Sequence, residues 1–297
     1  MGVFVRVLVT GAAGFLGRHF TKALRDVGHE VEAIDIRAGL GVTQQDARDL
    51  FRKKPEEWDL VLHLAAVVNG REAIEHNAMS QVVDFELDAA LFRWANHPNV
   101  KKIVYFSSSA AYPVGYQGTN PCTLSENLID LRNPKLPDAL YGWTKLTGEY
   151  LAAHARQAGM DVLVVRPFSG YGTDQDLCYP FPAMIERAKR REDPFVVWGS
   201  GEQVRDFIHV DDIVRAVLTL VKQGVKGPIN IGTGVPTSMI QLAKFITTAA
   251  GYSPEITPLS HKPSGVTYRV ADNSFLTPYY KPQVSLTEGI LRALEGK

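Results

Sequence analysis

The chain has 297 residues, 45% of them hydrophobic and 22% charged, the balance expected of a soluble globular protein with one large or two smaller domains. Its 32 basic residues offset its 32 acidic ones, which argues against a nucleic-acid partner, since such partners leave a basic excess or stripe. Two cysteines, Cys122 and Cys178, cannot build a disulfide framework or a cysteine metal site, so no metal and a reducing cytoplasm are expected; no apolar run approaches the ~20 residues of a membrane span.

Val5–Thr10 is a β-branched run ending in glycines, as expected of a strand buried on both faces. Phe20, Ala23, Leu24 and Val27 then fall at helical spacing, and Gly28 stops the helix. Strands are expected at Glu30–Ile36, Leu60–Leu64, Lys102–Ser107 and Val162–Arg166, with helices around Ala78–Ala95 and Tyr141–Ala158 between them. That alternation implies right-handed βαβ units and an α/β fold on a doubly wound parallel sheet. After Pro167 the pattern changes to prolines, short apolar patches and a basic helix, Met184–Arg191, whose Arg/Lys run at 187–191 reads as a solvated face. Residues 207–222 resume the strand–helix rhythm, Ile229–Ile231 is one more strand, and a helix near Ile240–Ala250 precedes Pro-rich loops.

Thr10-Gly11-Ala12-Ala13-Gly14-Phe15-Leu16-Gly17 joins the first strand to the first helix. Gly11 permits the tight turn, Gly14 lets a pyrophosphate approach the backbone, and Gly17 allows close helix–strand packing, with the helix N-terminus facing the phosphates. Asp35, ending the second strand, is placed to accept both ribose hydroxyls of NAD and to repel a 2′-phosphate, although nearby Arg37 leaves some tolerance for NADP. The resulting division is a Rossmann-type NAD domain, 1–167 plus about 205–235, and a smaller mixed α/β substrate-binding cap, about 168–204 plus 236–297.

Tyr141 and Lys145 lie four apart on one helix face, downstream of three strand-end hydroxyls, Ser107, Ser108 and Ser109. Such a spacing arises easily by chance; its weight comes from following those serines in a dinucleotide-binding chain. A neighbouring ammonium and the positive nicotinamide ring lower a phenol's pKa, so the tyrosine can remove a hydroxyl proton while hydride leaves the same carbon. A serine hydroxyl can hold that oxygen through the transition state.

With TGAAGFLG, Asp35, Gln45-Asp46-Ala47-Arg48-Asp49, His63-Leu64-Ala65-Ala66, SSSAAYP, YGWTK, Arg166-Pro167-Phe168 and the run Gly201–Asp212, the chain resembles the extended short-chain dehydrogenase/reductases of the nucleotide-sugar epimerase/dehydratase type. The resemblance runs nearly end to end. It implies Ser108, Tyr141 and Lys145 as the catalytic set and tightly bound NAD as cofactor. Cofactor contacts are implied for Gly11, Ala13, Gly14, Phe15, Leu16, Asp35 and Ile36. They are implied also for Asp46 (on adenine), Ala47, Leu64, Ala65, Ala66, Ser107 and Pro167, besides Tyr141 and Lys145. Ser108, Ser109, Ser169, Tyr179, Trp198 and Arg205 are the expected substrate contacts, with Arg205 on the sugar-nucleotide pyrophosphate. The family's second pyrophosphate arginine has no clear match, and Lys262 is the nearest candidate. A homodimer through Met79–Ala95 and Tyr141–Ala158 is implied as well.

Family dehydratases carry Asp-Glu where this chain has Ser109 and Ala110, and the 3,5-epimerases and GDP-fucose synthases carry cysteine at the second place. Alanine supplies neither acid nor base. The set that remains oxidises a secondary alcohol reversibly, which points to 4-epimerisation of a GDP-, UDP- or dTDP-linked hexose. Tyr112-Pro113 and Trp198 resemble the GDP-mannose 3,5-epimerases and tilt the nucleotide toward GDP. The alternatives are a 4-ketosugar reductase or dehydrogenase exchanging NAD(P)(H), a GDP-sugar 3,5-epimerase-like enzyme, or a dinucleotide sensor without chemistry. Tyr179 is a candidate compensating acid, and His63 and His209 read as structural.

Overall fold

A computed structural model describes residues 5–68, 70–118 and 122–296. The chain begins β1 (Arg6–Thr10), α1 (Phe15–Asp26), β2 (Glu30–Asp35), β3 (Thr43–Gln44), α2 (Ala47–Leu50), β4 (Leu60–His63), α3 (Arg71–His76), α4 (Val83–Ala95) and β5 (Ile103–Phe106). It continues with α5 (Ala139–Gln157), β6 (Val162–Pro167), β7 (Ser169–Tyr171), α6 (Pro180–Lys189), β8 (Phe195–Trp198), β9 (Val204–His209), α7 (Val210–Lys222) and β10 (Ile229–Ile231). The last elements are β11 (Pro236–Ser238), α8 (Met239–Ala249), β12 (Ile256–Leu259), β13 (Tyr268–Arg269) and α9 (Leu286–Glu295).

Seven strands form one wholly parallel sheet in the order β10-β6-β5-β4-β1-β2-β3. Chain order reverses beside β1, and that reversal opens a crevice at the carboxyl ends of the strands. Strands such as Leu60–His63 and Ile103–Phe106 are buried at every residue, which is why they read as continuous apolar runs rather than alternating ones. One face of the sheet packs on α1 and α7 through Phe20, Leu24, Ile213 and Val217; the other packs on α4 and α5 through Leu91, Phe92 and Ala152.

A third core, around Phe181, Met184, Phe195, Leu242 and Ile290, joins α6, α8 and α9 to the short strands. There β9 pairs with β7, β11 and β13, while β8 pairs with β12. By pairing, β9 belongs to this smaller sheet, although Ile208 on it also enters the core beneath α1 and α7. The single helix expected over 78–95 is split, a 3₁₀ turn at Ala78–Val82 leading into α4. α9 falls in the tail read as loops; Ser285 caps it by accepting the Glu288 N–H, and Gly296 ends it in the left-handed region.

Candidate active site

A continuous cleft of about 950 Å³ runs along the carboxyl ends of the parallel strands and under the smaller sheet. Its first half is built by the glycine turn. Gly11 has φ +71°, and a Cβ there would lie 2.5 Å from the Ala65 nitrogen; one on Gly17 would lie 2.2 Å from the Gly11 oxygen. Only glycine lets β1, α1 and the segment after β4 approach this closely.

Gly11, Gly14, Phe15, Leu16, Asp35, Ile36, Asp46 and Ala47 line this half, as do Leu64, Ala65, Ala66, Ser107 and Pro167. Ala13, expected to touch the cofactor, is not among the residues lining the cleft; its N–H donates to Asp35 Oδ2 at 3.0 Å. The other Asp35 oxygen accepts from the Arg37 N–H at 2.9 Å, so the carboxylate is fixed at the end of β2 with lone pairs left over. Asp46 caps α2 and is gripped by Arg48, whose hydrogen bonds hold its carboxyl below the usual range.

Ser108, Tyr141 and Lys145 come together on the cleft wall from the end of β5 and one face of α5. Ser108 is extended (φ −157°, ψ 156°), and its Oγ accepts the Ala110 N–H at 3.1 Å, which leaves its own hydrogen free to donate. Ser107 is wired the other way. Its hydroxyl donates to buried Glu149, whose carboxylate is held in a fork by Arg166 at 2.8 and 2.6 Å, so toward the cleft Ser107 can only accept. Ser109, expected to touch substrate, is carried toward the interior by the 3₁₀ turn Ser109–Ala111, is 6% exposed and is not among the residues lining the cleft. Ala110 lines the cleft with no ionisable group.

Lys145 is buried with its ammonium 5.7 Å from the Tyr141 ring centre, and Nζ has no hydrogen-bond partner among the described residues. Burial alone would lower its pKa, but the negative charges that Tyr141, Asp88 and Asp84 can carry outweigh it and raise the value. Asp84, buried on α4, accepts the Val67 N–H at 2.7 Å, and burial pushes its carboxyl up. His63 Nδ1 lies 2.9 Å from Thr10 Oγ1 and Nε2 3.4 Å from Asp88 Oδ1, and His209 caps α7; both are structural.

At the far end stand Ser169, Tyr179, Trp198 and Arg205. Burial, then the nearby Tyr141, pushes the Tyr179 phenol above its ordinary value, so it is a neutral donor. Cys178 is pushed up to about 11 by burial and by Asp176. Lys262 sits 5.0 Å over the Trp198 ring. Arg205 donates to the Val204 and Ser264 carbonyls at 2.8 and 2.9 Å.

The charged residues Arg71, Asp138 and Arg269, outside the set expected from the sequence, also line the cleft. Arg269 stands in register with Arg205 across β13 and β9. Arg187 also lines the cleft, donating to the Val196 carbonyl at 2.6 Å, so the run 187–191 is not wholly a solvated face. A cation next to a cofactor-lining segment (Arg71) and a carboxylate three residues before Tyr141 (Asp138) were the available signals.

The sequence pattern of the NAD dependent epimerase/dehydratase family matches residues 7–232. The chain belongs to this family. Among its relatives, dTDP-4-dehydro-6-deoxy-D-allose reductase from a Streptomyces species is 29% identical, covering 90% of this chain and 88% of its own. GDP-mannose 3,5-epimerase 1 from Oryza sativa subsp. indica is also 29% identical, covering 96% and 80%. UDP-glucuronic acid 4-epimerase from Bacillus cereus, crystallised with NAD, superposes with a TM-score of 0.85 at 25% identity over 98% of both chains. Like its family, this member is an NAD-dependent enzyme acting on nucleotide sugars.

Proposed function

We propose that the protein is a 4-epimerase of nucleotide-linked hexoses that retains its NAD through the cycle. The observation that carries this reading is the convergence of Ser108, Tyr141 and Lys145 in the dinucleotide cleft, with alanine at position 110. NAD fits the residues present: the N-terminus of α1, which has no side-chain cap, lines the cleft with its first N–H groups, and the buried Lys145 ammonium has donors free for ribose hydroxyls. Gly11, Gly14, Asp35, Asp46 and Lys145 would hold it, and bound there it takes up and gives back the hydrogen on C4 of the sugar.

Tyr141, beside the Lys145 ammonium, is the base that accepts the C4 hydroxyl proton. Ser108 donates to the same oxygen, and its hydroxyl is oriented for this by the bond it accepts from Ala110. Ser107, its proton committed to Glu149, accepts from ligand N–H or O–H groups. The 4-ketone turns over in the cleft, the hydrogen returns to its opposite face, and Tyr141 gives the proton back. The sugar is oxidised and reduced at one carbon with no net redox change.

The Streptomyces relative and the exposed Arg37 beside Asp35 favour a second reading, a 4-ketosugar reductase that exchanges NAD(P)(H). The 3,5-epimerase reading, suggested by the Oryza relative and the tilt toward GDP, lacks an acid/base at Ala110. Two lobes divided near Pro167, a cytoplasmic setting, and a homodimer through α4 and α5 belong to the same proposal; Met79 and Tyr150 are exposed on or beside those helices. Proton NMR of the purified protein with nucleotide sugars and no added cofactor tests it. Retained NAD turns over; an exchanging reductase stays silent until reduced cofactor is supplied.

A further inference from the structure

Cations crowd the substrate end of the cleft. Arg71, Arg187, Arg205 and Arg269 line it, and Lys262 lies over the Trp198 that lines it. Among the described residues, the carboxylates in contact with these five are two, Asp138 and Glu75. Asp138 receives both Arg71, at 2.9 Å to each oxygen, and Arg269, at 2.7 Å, so one charge is divided between two guanidinium groups. Arg205 and Arg187 have backbone carbonyls in place of counter-ions. The shortage shows in the electrostatics: burial, then the neighbouring Arg269, pushes Arg205 down to about 9.

Five cations against two carboxylates leave three positive charges to be met. A sugar-nucleotide pyrophosphate brings one negative charge on each phosphate and leaves one cation over. The surplus lies at the sugar side rather than the nucleotide side. Asp138, with Arg71 and Arg269 on it, is the N-cap residue of α5, three positions before Tyr141. Nη2 of Arg71 and Nη1 of Arg269 make no hydrogen bond among the described residues, which leaves planar donors for a second carboxylate.

We propose that the sugar itself is anionic: the substrate is a nucleotide-linked uronic acid whose carboxylate is received by Arg71 and Arg269. This rests on the nucleotide-sugar reading above and narrows it. A neutral hexose would leave these part-buried guanidinium groups short of an acceptor, which is the kind of mismatch by which a polar site rejects the wrong substrate.

Titration calorimetry on the NAD-loaded full chain tests the assignment with matched pairs: UDP-glucuronate against UDP-glucose, and GDP-mannuronate against GDP-mannose. At least one uronate is expected to bind tenfold or more tighter than its neutral partner, with Arg71→Met bringing that ratio near one. Equal or tighter binding of the neutral sugars overturns the uronate assignment while the nucleotide-sugar reading stands. An Arg71→Met change that weakens both members of a pair alike places Arg71 on the pyrophosphate and also overturns it. If no member of either pair binds, the uronate assignment falls, and with it UDP and GDP as the nucleotide. The wild-type ratio decides the matter even where a variant does not fold.

Discussion

Ser107 and Ser108 are adjacent and chemically alike, yet their hydrogen bonds give them opposite polarity at the cleft. Ser108 accepts from the Ala110 N–H and keeps its hydrogen for a ligand; Ser107 surrenders its hydrogen to Glu149. Ser108→Ala therefore removes the donor to the C4 oxygen, and about a 10²–10³-fold fall in kcat is expected. Tyr141→Phe removes the base, with a fall of about 10²–10⁴-fold. Steady-state rates on whichever nucleotide sugar is turned over check both; a Tyr141→Phe enzyme of ordinary activity would remove the phenol from the mechanism. This residue-level detail was only partly legible in the sequence. The order strand, serines, Tyr141, Lys145 is linear in the chain, so the catalytic group could be read. The fate of Ser109 could not, because the 3₁₀ turn that buries it has no periodicity to betray it.

At the scale of elements, the cleft wall is held by a buried network that spans four segments. Arg166 on β6 bonds Glu149 on α5, the Tyr112 hydroxyl and the Glu126 carbonyl; Tyr112 in turn donates to Asn230 on β10. Arg166 and Glu149 are 2% and 3% exposed, so neither charge has water to fall back on. Arg166→Met strands the Glu149 carboxylate, and a loss of about 3–5 kcal/mol is expected, read from the midpoint of urea unfolding. A loss below about 1 kcal/mol would show that the pair is dispensable. The long elements of the large sheet were legible because they are buried on both faces. The small sheet was not, because β7, β11 and β13 are two or three residues long and show no alternation. Arg269 sits on the shortest of these, so its place beside Arg205 has no signal in the sequence pattern.

For the whole molecule, the segment 172–179 ties the small sheet to the large one across the cofactor half of the cleft. Asp174 accepts from Arg18 at 2.9 Å and lies 2.9 Å from His19 Nε2, both on α1; near the other end of the segment, Gly70 has room for no Cβ because the Cys178 carbonyl would be 2.6 Å away. Burial opposes the Asp174 charge, but His19 and Arg18 outweigh it and hold the carboxyl at about 2, against 3.8 ordinarily. A depressed carboxylate stabilises the fold above its unfolded pKa and loses that contribution as pH falls toward its folded one. The gap in thermal midpoint between wild type and Asp174→Asn is therefore expected to be full at pH 6 and to shrink between about pH 4 and 2; both partners are partly exposed, so salt also narrows it. A gap that does not change with pH would show that this tie is not ionic. The central claim concerns the whole cycle, since a retained cofactor must give back what it took. Proton NMR of the protein with UDP-, dTDP- and GDP-sugars in D₂O, without added NAD, measures that most directly. A new anomeric signal with no deuterium in the sugar is the result expected of internal return at C4, whereas deuterium at C3 or C5 would contradict it and show that an acid/base acts in place of Ala110.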